Sequence, residues 1–534
     1  MSSRFPWVSS RLFWLCLLSA IAVVLIAWTE LPLGIPGEWT WVRAAVEADL
    51  VLNVLLLGLA AGVFAAFVRI GEAGIETASP RGLSLRLAGL LLLTFGWLWA
   101  AQESAPMGFR LSKPAFILYY SGSSGYFTEA SERAVDVRSY LAGYEARMAE
   151  GDVLHLGTHP PGLILAYRGL IELCSSSPAL VNLLNATQPE SAREAFAVIA
   201  EATQRSARPF PREDAAVLWL AAMLTQFAAA ATVLPLYALL RRTESRLVSW
   251  RAVCFWPFVP ALAVFLPKSD VLYPLIGVTL LYCWLEAVRR RSWWLALAAG
   301  FVGWLGLFLS LALLPVGALA LLLSGFELWR ERRNRNVGGA ADAPSGNARE
   351  GWLPLAGIVL CGAAGLLIPV FVLWMVADLN LFRVWAWNLT NHAGFYDQFP
   401  RTYWKWLLVS PIEFAIAAGV PLLVLAGVTL RRAIHEPWSR QAGVMWSVLL
   451  TLGLLWLSGK NSGELARLWI LFMPWMIWLA APALDGVPKL SAQGKVGQAP
   501  LVPCSADRFW WAWGLHVAVS IVIVTRVIGF HVPG

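Results

Sequence analysis

The stretch DVRSYLAGYEARMAEGDVLHLGTHPPG, residues 136–162, follows the apolar run 85–101 and breaks the character of the chain around it. It carries Asp136, Glu145, Glu150, Asp152, His155 and His159 in a sequence that is 58% hydrophobic and only 14% charged. A soluble chain of 534 residues needs far more polar surface than that. Mean hydropathy is +0.63. Carboxylates and imidazoles gathered at a membrane boundary are costly to keep there, which makes them functional candidates by default.

Working outward, apolar runs recur at the length that crosses a bilayer as helix. About thirteen are read: 12–28, 50–68, 85–101, 215–239, 251–267, 271–288, 292–308, 309–327, 352–377, 406–430, 442–457, 466–483 and 509–529. The divisions within 251–288 and 292–327 are the hardest to place. Many of the thirty Trp residues stand near run ends, as in an interfacial aromatic belt. The net charge of +8 is concentrated in Arg241-Arg242, Arg289-Arg290-Arg291, Arg330 to Arg335 and Arg431-Arg432. Each cluster directly follows an apolar run, so the basic balance reads as positive-inside topology and not as nucleic-acid binding. Segments 69–84, 240–250, 289–291, 328–351, 431–441 and 484–508 then fall inside, with the N-terminus. Segments 29–49, 102–214, 378–405, 458–465 and the C-terminus fall outside. The first run, 12–28, is read as a retained span and not as a cleaved signal peptide, because no small-residue cleavage site follows it. The six cysteines form no CxxC pair and indicate neither a disulfide framework nor a zinc site.

The expected fold is therefore all-α and polytopic, with a large first external loop, 102–214, bearing interfacial helices. Residues 161–174 are apolar but short and contain Arg168 and Glu172, so they read as a helix in the interface. Pro160-Pro161 suits its start. Residues 190–205 read as an amphipathic surface helix. Residues 336–350 read as a flexible cytoplasmic linker. Asn185 and Asn388 stand in glycosylation sequons, a pattern with many false matches.

Further polar clusters share the outer side: Lys268-Ser269-Asp270, residues 388–403 with His392, Asp397 and Arg401, and residues 458–467 with Lys460, Glu464 and Arg467. They are expected to line one cavity with the 136–162 segment. Asp136-Val137-Arg138-Ser139-Tyr140, then Glu150-Gly151-Asp152, then His159-Pro160-Pro161-Gly162, resembles the first external loop of integral-membrane glycosyltransferases of the GT-C fold. Protein O-mannosyltransferases have an Asp-Glu pair, an aromatic four residues after the Asp, a Gly-acidic turn and His-Pro-Pro-Leu in this order. Lipid A aminoarabinose transferases have a related Lys-Pro-Pro-Leu. Arg241-Arg242, Lys268-Ser269-Asp270 and Lys460 with Ser462 to Arg467 resemble later elements of those families, so the similarity covers roughly 85–480. Val137 departs from the second acid and Gly162 from the Leu. An alternative alignment puts the acid at Glu129, in Tyr126-Phe127-Thr128-Glu129.

The resemblance implies domains at 1–84 (an extra transmembrane pair), 85–330 (a catalytic core), 331–351 (a cytoplasmic linker) and 352–534 (a C-terminal transmembrane region). It implies a transferase of the cytoplasmic membrane that moves a sugar from a polyprenyl-phosphate carrier to a glycan, lipid or protein acceptor on the external face. A phosphate leaving group needs no strong acid, so one carboxylate, Asp136 or Glu129, suffices as base for a single inverting displacement. Lys460, Arg467 and Lys268 suit the lipid phosphate. Tyr140, His159, Asp270, His392 and Glu464 are the other substrate-binding candidates. Structural readings stand beside each: Asp136 as a helix cap, His159 as a brace of the Pro-Pro turn, Asp270 as a partner of Lys268, Arg467 reaching for the interface, and His392 and Asp397 ordering their loop. A divalent metal at His155, His159 and a carboxylate is a weak signal, and no cofactor is specified. A transporter or flippase of lipid-linked glycans is the alternative function; internal repeats and mid-membrane charges would mark it.

Overall fold

In the computed structural model, residues 7–206, 208–337, 348–484 and 506–529 are described. Nearly every element is a helix, as the recurring apolar runs require. Nine helices among the described residues are long and apolar enough to cross a membrane: Leu50–Glu72, Pro80–Glu103, Arg212–Leu240, Arg246–Phe265, Ser269–Arg290, Leu311–Arg333, Leu355–Ala377, Arg440–Leu457 and Arg508–Arg526. A tenth arises if Tyr403–Ala418 and Val420–His435, bent by 109°, form one span. The remaining expected runs appear as the shorter apolar helices Phe13–Trp28, Trp293–Leu309 and Ile470–Leu484. This architecture is compatible with a multi-pass membrane protein. The linker expected at 336–350 lies mostly outside the described residues, as does Cys504. Cys16, Cys174, Cys254, Cys283 and Cys361 are free thiols.

Local chemistry explains where several spans begin. Ser79, Ser245, Ser292 and Ser439 each accept a hydrogen bond from the backbone N–H three residues on, the arrangement that satisfies a helix N-terminus. Each of these caps follows closely on a helix with arginine near or just past its C-terminal end: Arg69, Arg241-Arg242, Arg289-Arg290 and Arg431-Arg432. Cations there complement the negative end of the helix dipole. Three of the basic clusters read from the sequence thus lie at helix-to-helix turns, whereas Arg330 to Arg335 fall within helix Leu314–Val337.

The chain divides into two compact units, each assembled from separate stretches. The first comprises residues 1–106, 230–265 and 403–534. Within it, Leu33–Ile35 pairs antiparallel with Trp39–Arg43, and the latter with Val527–Ile528, a small sheet that apolar periodicity does not reveal. The end of Leu50–Glu72 is fixed by Glu72, whose Oε1 lies 2.6 Å from Arg251 Nε with both side chains nearly enclosed. Trp250 donates to the Val68 carbonyl at 3.2 Å and lies against Gly71, where a Cβ would overlap its ring.

The second unit comprises residues 107–229 and 266–402. Its helices Trp293–Leu309 and Ala348–Ala377 meet backbone to backbone through glycines. A Cβ at Gly300 would overlap the Gly362 carbonyl oxygen, and one at Gly365 would overlap that of Leu297. Small residues allow this approach where lipid gives helices no hydrophobic reason to associate. Gly300→Leu is expected to force the pair apart and cost at least the 1–3 kcal/mol or so of ordinary overpacking. A thermal-unfolding series in detergent checks this, with the surface substitution Leu360→Ala as a near-neutral control (Leu360 is 69% exposed).

Candidate functional site

The long segment after Pro80–Glu103 folds as a run of short helices, and the polar residues in the second unit converge there. Gly125, at φ +77°, supplies the left-handed turn that opens helix Tyr126–Glu132. Glu129 projects from that helix into an enclosed position, 5% exposed. Its Oε1 accepts the Tyr140 hydroxyl at 3.1 Å and pairs with the Arg147 guanidinium at 2.8 Å. Arg133 Nε stands 4.0 Å from Oε2, beyond hydrogen-bonding distance. Arg147 also lies over the Tyr140 ring, 5.9 Å from its centroid. Burial, reinforced by the Glu129 charge, pushes the Tyr140 phenol above its ordinary pKa, so it stays a neutral donor.

Asp136 is exposed and serves as the N-cap of helix Val137–Ala142. Its carboxylate accepts the Arg138 and Ser139 amides at 3.1 and 3.4 Å and the Ser139 hydroxyl at 2.6 Å. Those bonds, that of the Ser139 hydroxyl first, hold the carboxyl below its usual range. The cap starts the helix that delivers Tyr140, one turn on, to Glu129. The Asp136-to-Tyr140 spacing is therefore a device that anchors a phenol on a different carboxylate.

The following turn is braced from several sides. Asp152 accepts the amides of Leu154, Leu156 and Gly157 at 2.8 to 3.1 Å. Asn388 and Asn391, on helix Leu381–Gln398, donate to the Gly157 carbonyl at 2.8 and 2.9 Å. The Asn388 amide of the sequon is buried and committed to that bond. Gly157 admits no Cβ because the Asp152 carbonyl and the Asn391 amide occupy its place. At Gly162 a Cβ would meet the Phe308 carbonyl, so this position takes no side chain.

His159 Nδ1 sits 3.0 Å from the His155 carbonyl and 3.0 Å from Thr158 Oγ1, its ring lies 5.7 Å from that of Tyr126, and its own carbonyl accepts the Tyr144 hydroxyl at 2.9 Å. His155 Nε2 faces the Gly122 carbonyl at 3.3 Å. Among the described residues no group of three or more His, Cys, Asp or Glu side chains is placed to hold a metal ion. Lys268, buried, bonds the Ser123 carbonyl and so ties down the loop that precedes Gly125. Asp270 lies in the short turn Ser269–Val271 after it. The His392 ring packs on Tyr396 at 6.1 Å.

Lys460, Glu464 and Arg467 belong to the first unit. Lys460 is exposed, and Arg467 pairs with Glu464 at 3.1 Å. Gly459, Asn461 and Gly463 all have positive φ, so this loop is a tight, irregular turn. In the same unit Glu413 Oε1 accepts the Trp41 indole N–H and the Ala466 amide, both at 3.0 Å, while buried Oε2 has no partner. The sequence signal for Glu413 was present, since a lone carboxylate inside the apolar run 406–430 is a functional candidate on cost alone. Arg147 carried no comparable signal; only the fold shows that it meets Glu129. No protein-family model, curated protein or solved structure matches the chain.

Proposed function

We propose that the protein is a polytopic glycosyltransferase of GT-C type that uses a polyprenyl-phosphate sugar, with Glu129 as its base. The observation that carries this reading is the buried Glu129 carboxylate, held on one oxygen by Tyr140 and Arg147 in the first large loop after a span. A base fixed in this way can take an acceptor's hydroxyl proton as the acceptor oxygen bonds to the sugar's anomeric carbon. The bond from that carbon to the phosphate oxygen breaks, and its electron pair leaves with the lipid phosphate. Such a base contributes about 10²–10⁴-fold. Geometry favours Glu129 over Asp136 because Asp136 is engaged in capping. Phosphate binding by Lys460 and Arg467 rests on the family resemblance alone, whereas the external-face orientation rests on the arginine clusters and the count of about thirteen spans on the apolar runs.

The test is reconstitution in vesicles with a polyprenyl-phosphate sugar and a hydroxyl acceptor. Acceptor-dependent release of polyprenyl phosphate is expected. Movement of a fluorescent lipid-linked glycan across the bilayer, with no release of lipid phosphate from any donor, would replace this reading with a flippase.

A further inference from the structure

Helix Tyr126–Glu132 has a second working face. Opposite Glu129, residues Phe127, Thr128 and Ser131 border a cleft of about 210 Å3, closed on the other side by Tyr119, Phe210 and Arg208. We infer that this cleft is a binding site for a single neutral sugar ring.

Size is the first argument. The volume falls below the roughly 300–1,000 Å3 typical of drug-sized ligands, which leaves no room for a polyprenyl tail. Charge is the second. Arg208 faces two carboxylates, Glu132 and Asp214, so the lining is net negative and repels the donor's phosphate. Surface chemistry is the third. Tyr119 meets Phe210 edge to face at 5.2 Å, and Phe210 stacks on Phe196 at 6.0 Å, which fixes the ring wall. A sugar presents apolar C–H faces to such a wall and hydroxyls to its rim. The rim is already ordered. Arg208 donates to Asp214 at 3.0 Å and to the Ser131 hydroxyl, and Thr128 donates to the Tyr119 carbonyl at 3.1 Å. Two of the five guanidinium N–H donors are used in that arrangement. Tyr120, 46% exposed and stacked with Phe116, forms the lip.

Identifying this sugar as the acceptor rests on the transferase reading; saccharide binding does not. The test is saturation-transfer NMR of the full-length protein in detergent, with methyl glycosides of mannose, glucose, galactose and arabinose and their short oligosaccharides. At least one is expected to bind, and Tyr120→Ala and Asp214→Asn are each expected to weaken it about five- to tenfold, with Tyr120→Phe near wild type. Glu129→Gln should bind normally, so loss of transfer alone leaves this site standing. The inference is overturned if no glycoside binds, if both weakening variants bind as the wild type does, or if tetramethylammonium occupies the cleft in preference to every sugar.

Discussion

Glu129→Gln is expected to reduce sugar transfer by about 10²–10⁴-fold while the protein stays folded and still binds donor. Glutamine keeps the shape of the side chain and can still accept the Tyr140 hydroxyl, which lies 3.1 Å from the carboxylate in the wild type. It cannot take a proton from an attacking hydroxyl. Asp136→Asn is the contrasting variant. Asparagine caps helices about as well as aspartate, so Tyr140 should still reach Glu129 and activity should stay within a few fold of wild type. Initial rates of lipid-phosphate release, with a melting curve for each variant, read both outcomes. If Asp136→Asn abolishes turnover and Glu129→Gln leaves it intact, the roles drawn from the geometry are reversed.

Arg251→Met should cost about 3–5 kcal/mol, the largest stability loss expected from one substitution in the first unit. Arg251 and Glu72 are 7% and 10% exposed, and the contact is 2.6 Å. Removing that cation leaves the enclosed Glu72 carboxylate with only the longer contact to exposed Arg69, 3.6 Å away. Arg251 also lies 5.3 Å over the Phe509 ring, so its planar head is engaged on two sides. Pairing the change with Glu72→Leu should recover much of the loss, since an apolar pair of similar volume often replaces a buried ion pair without penalty. Thermal unfolding in detergent distinguishes the single from the double variant; equal melting temperatures for Arg251→Met and wild type would show that the pair contributes nothing.

Much of the fold was legible because hydrophobic length is a local property. The runs at 50–68, 85–101 and 442–457 are apolar or small-residue throughout, apart from Asn53 and Arg86, and reappear as long helices. The helix at 161–174 was also foreseeable, observed as Gly162–Ser176. What could not be read depends on distant partners. Trp41 bonds Glu413 from 372 positions away, and the strand Val527–Ile528 finds its partner at the other end of the chain. At the site, sequence order singled out Asp136 and Tyr140 as neighbours in a motif. It could not show that the phenol turns to Glu129, because that choice depends on how one short helix is packed under the next.

The glycine seam between Trp293–Leu309 and Ala348–Ala377 has a thermal consequence. Contact between two backbones draws on dispersion between closely spaced atoms and not on release of water from apolar surface. Apolar hydration is the source of the large heat-capacity change that bends the stability curve of a soluble domain. A seam that is never hydrated, even when its helices separate within lipid, adds almost none of that curvature. Its hold should change little between cold and warm conditions, leaving temperature to act mainly on contacts that water enters when they open.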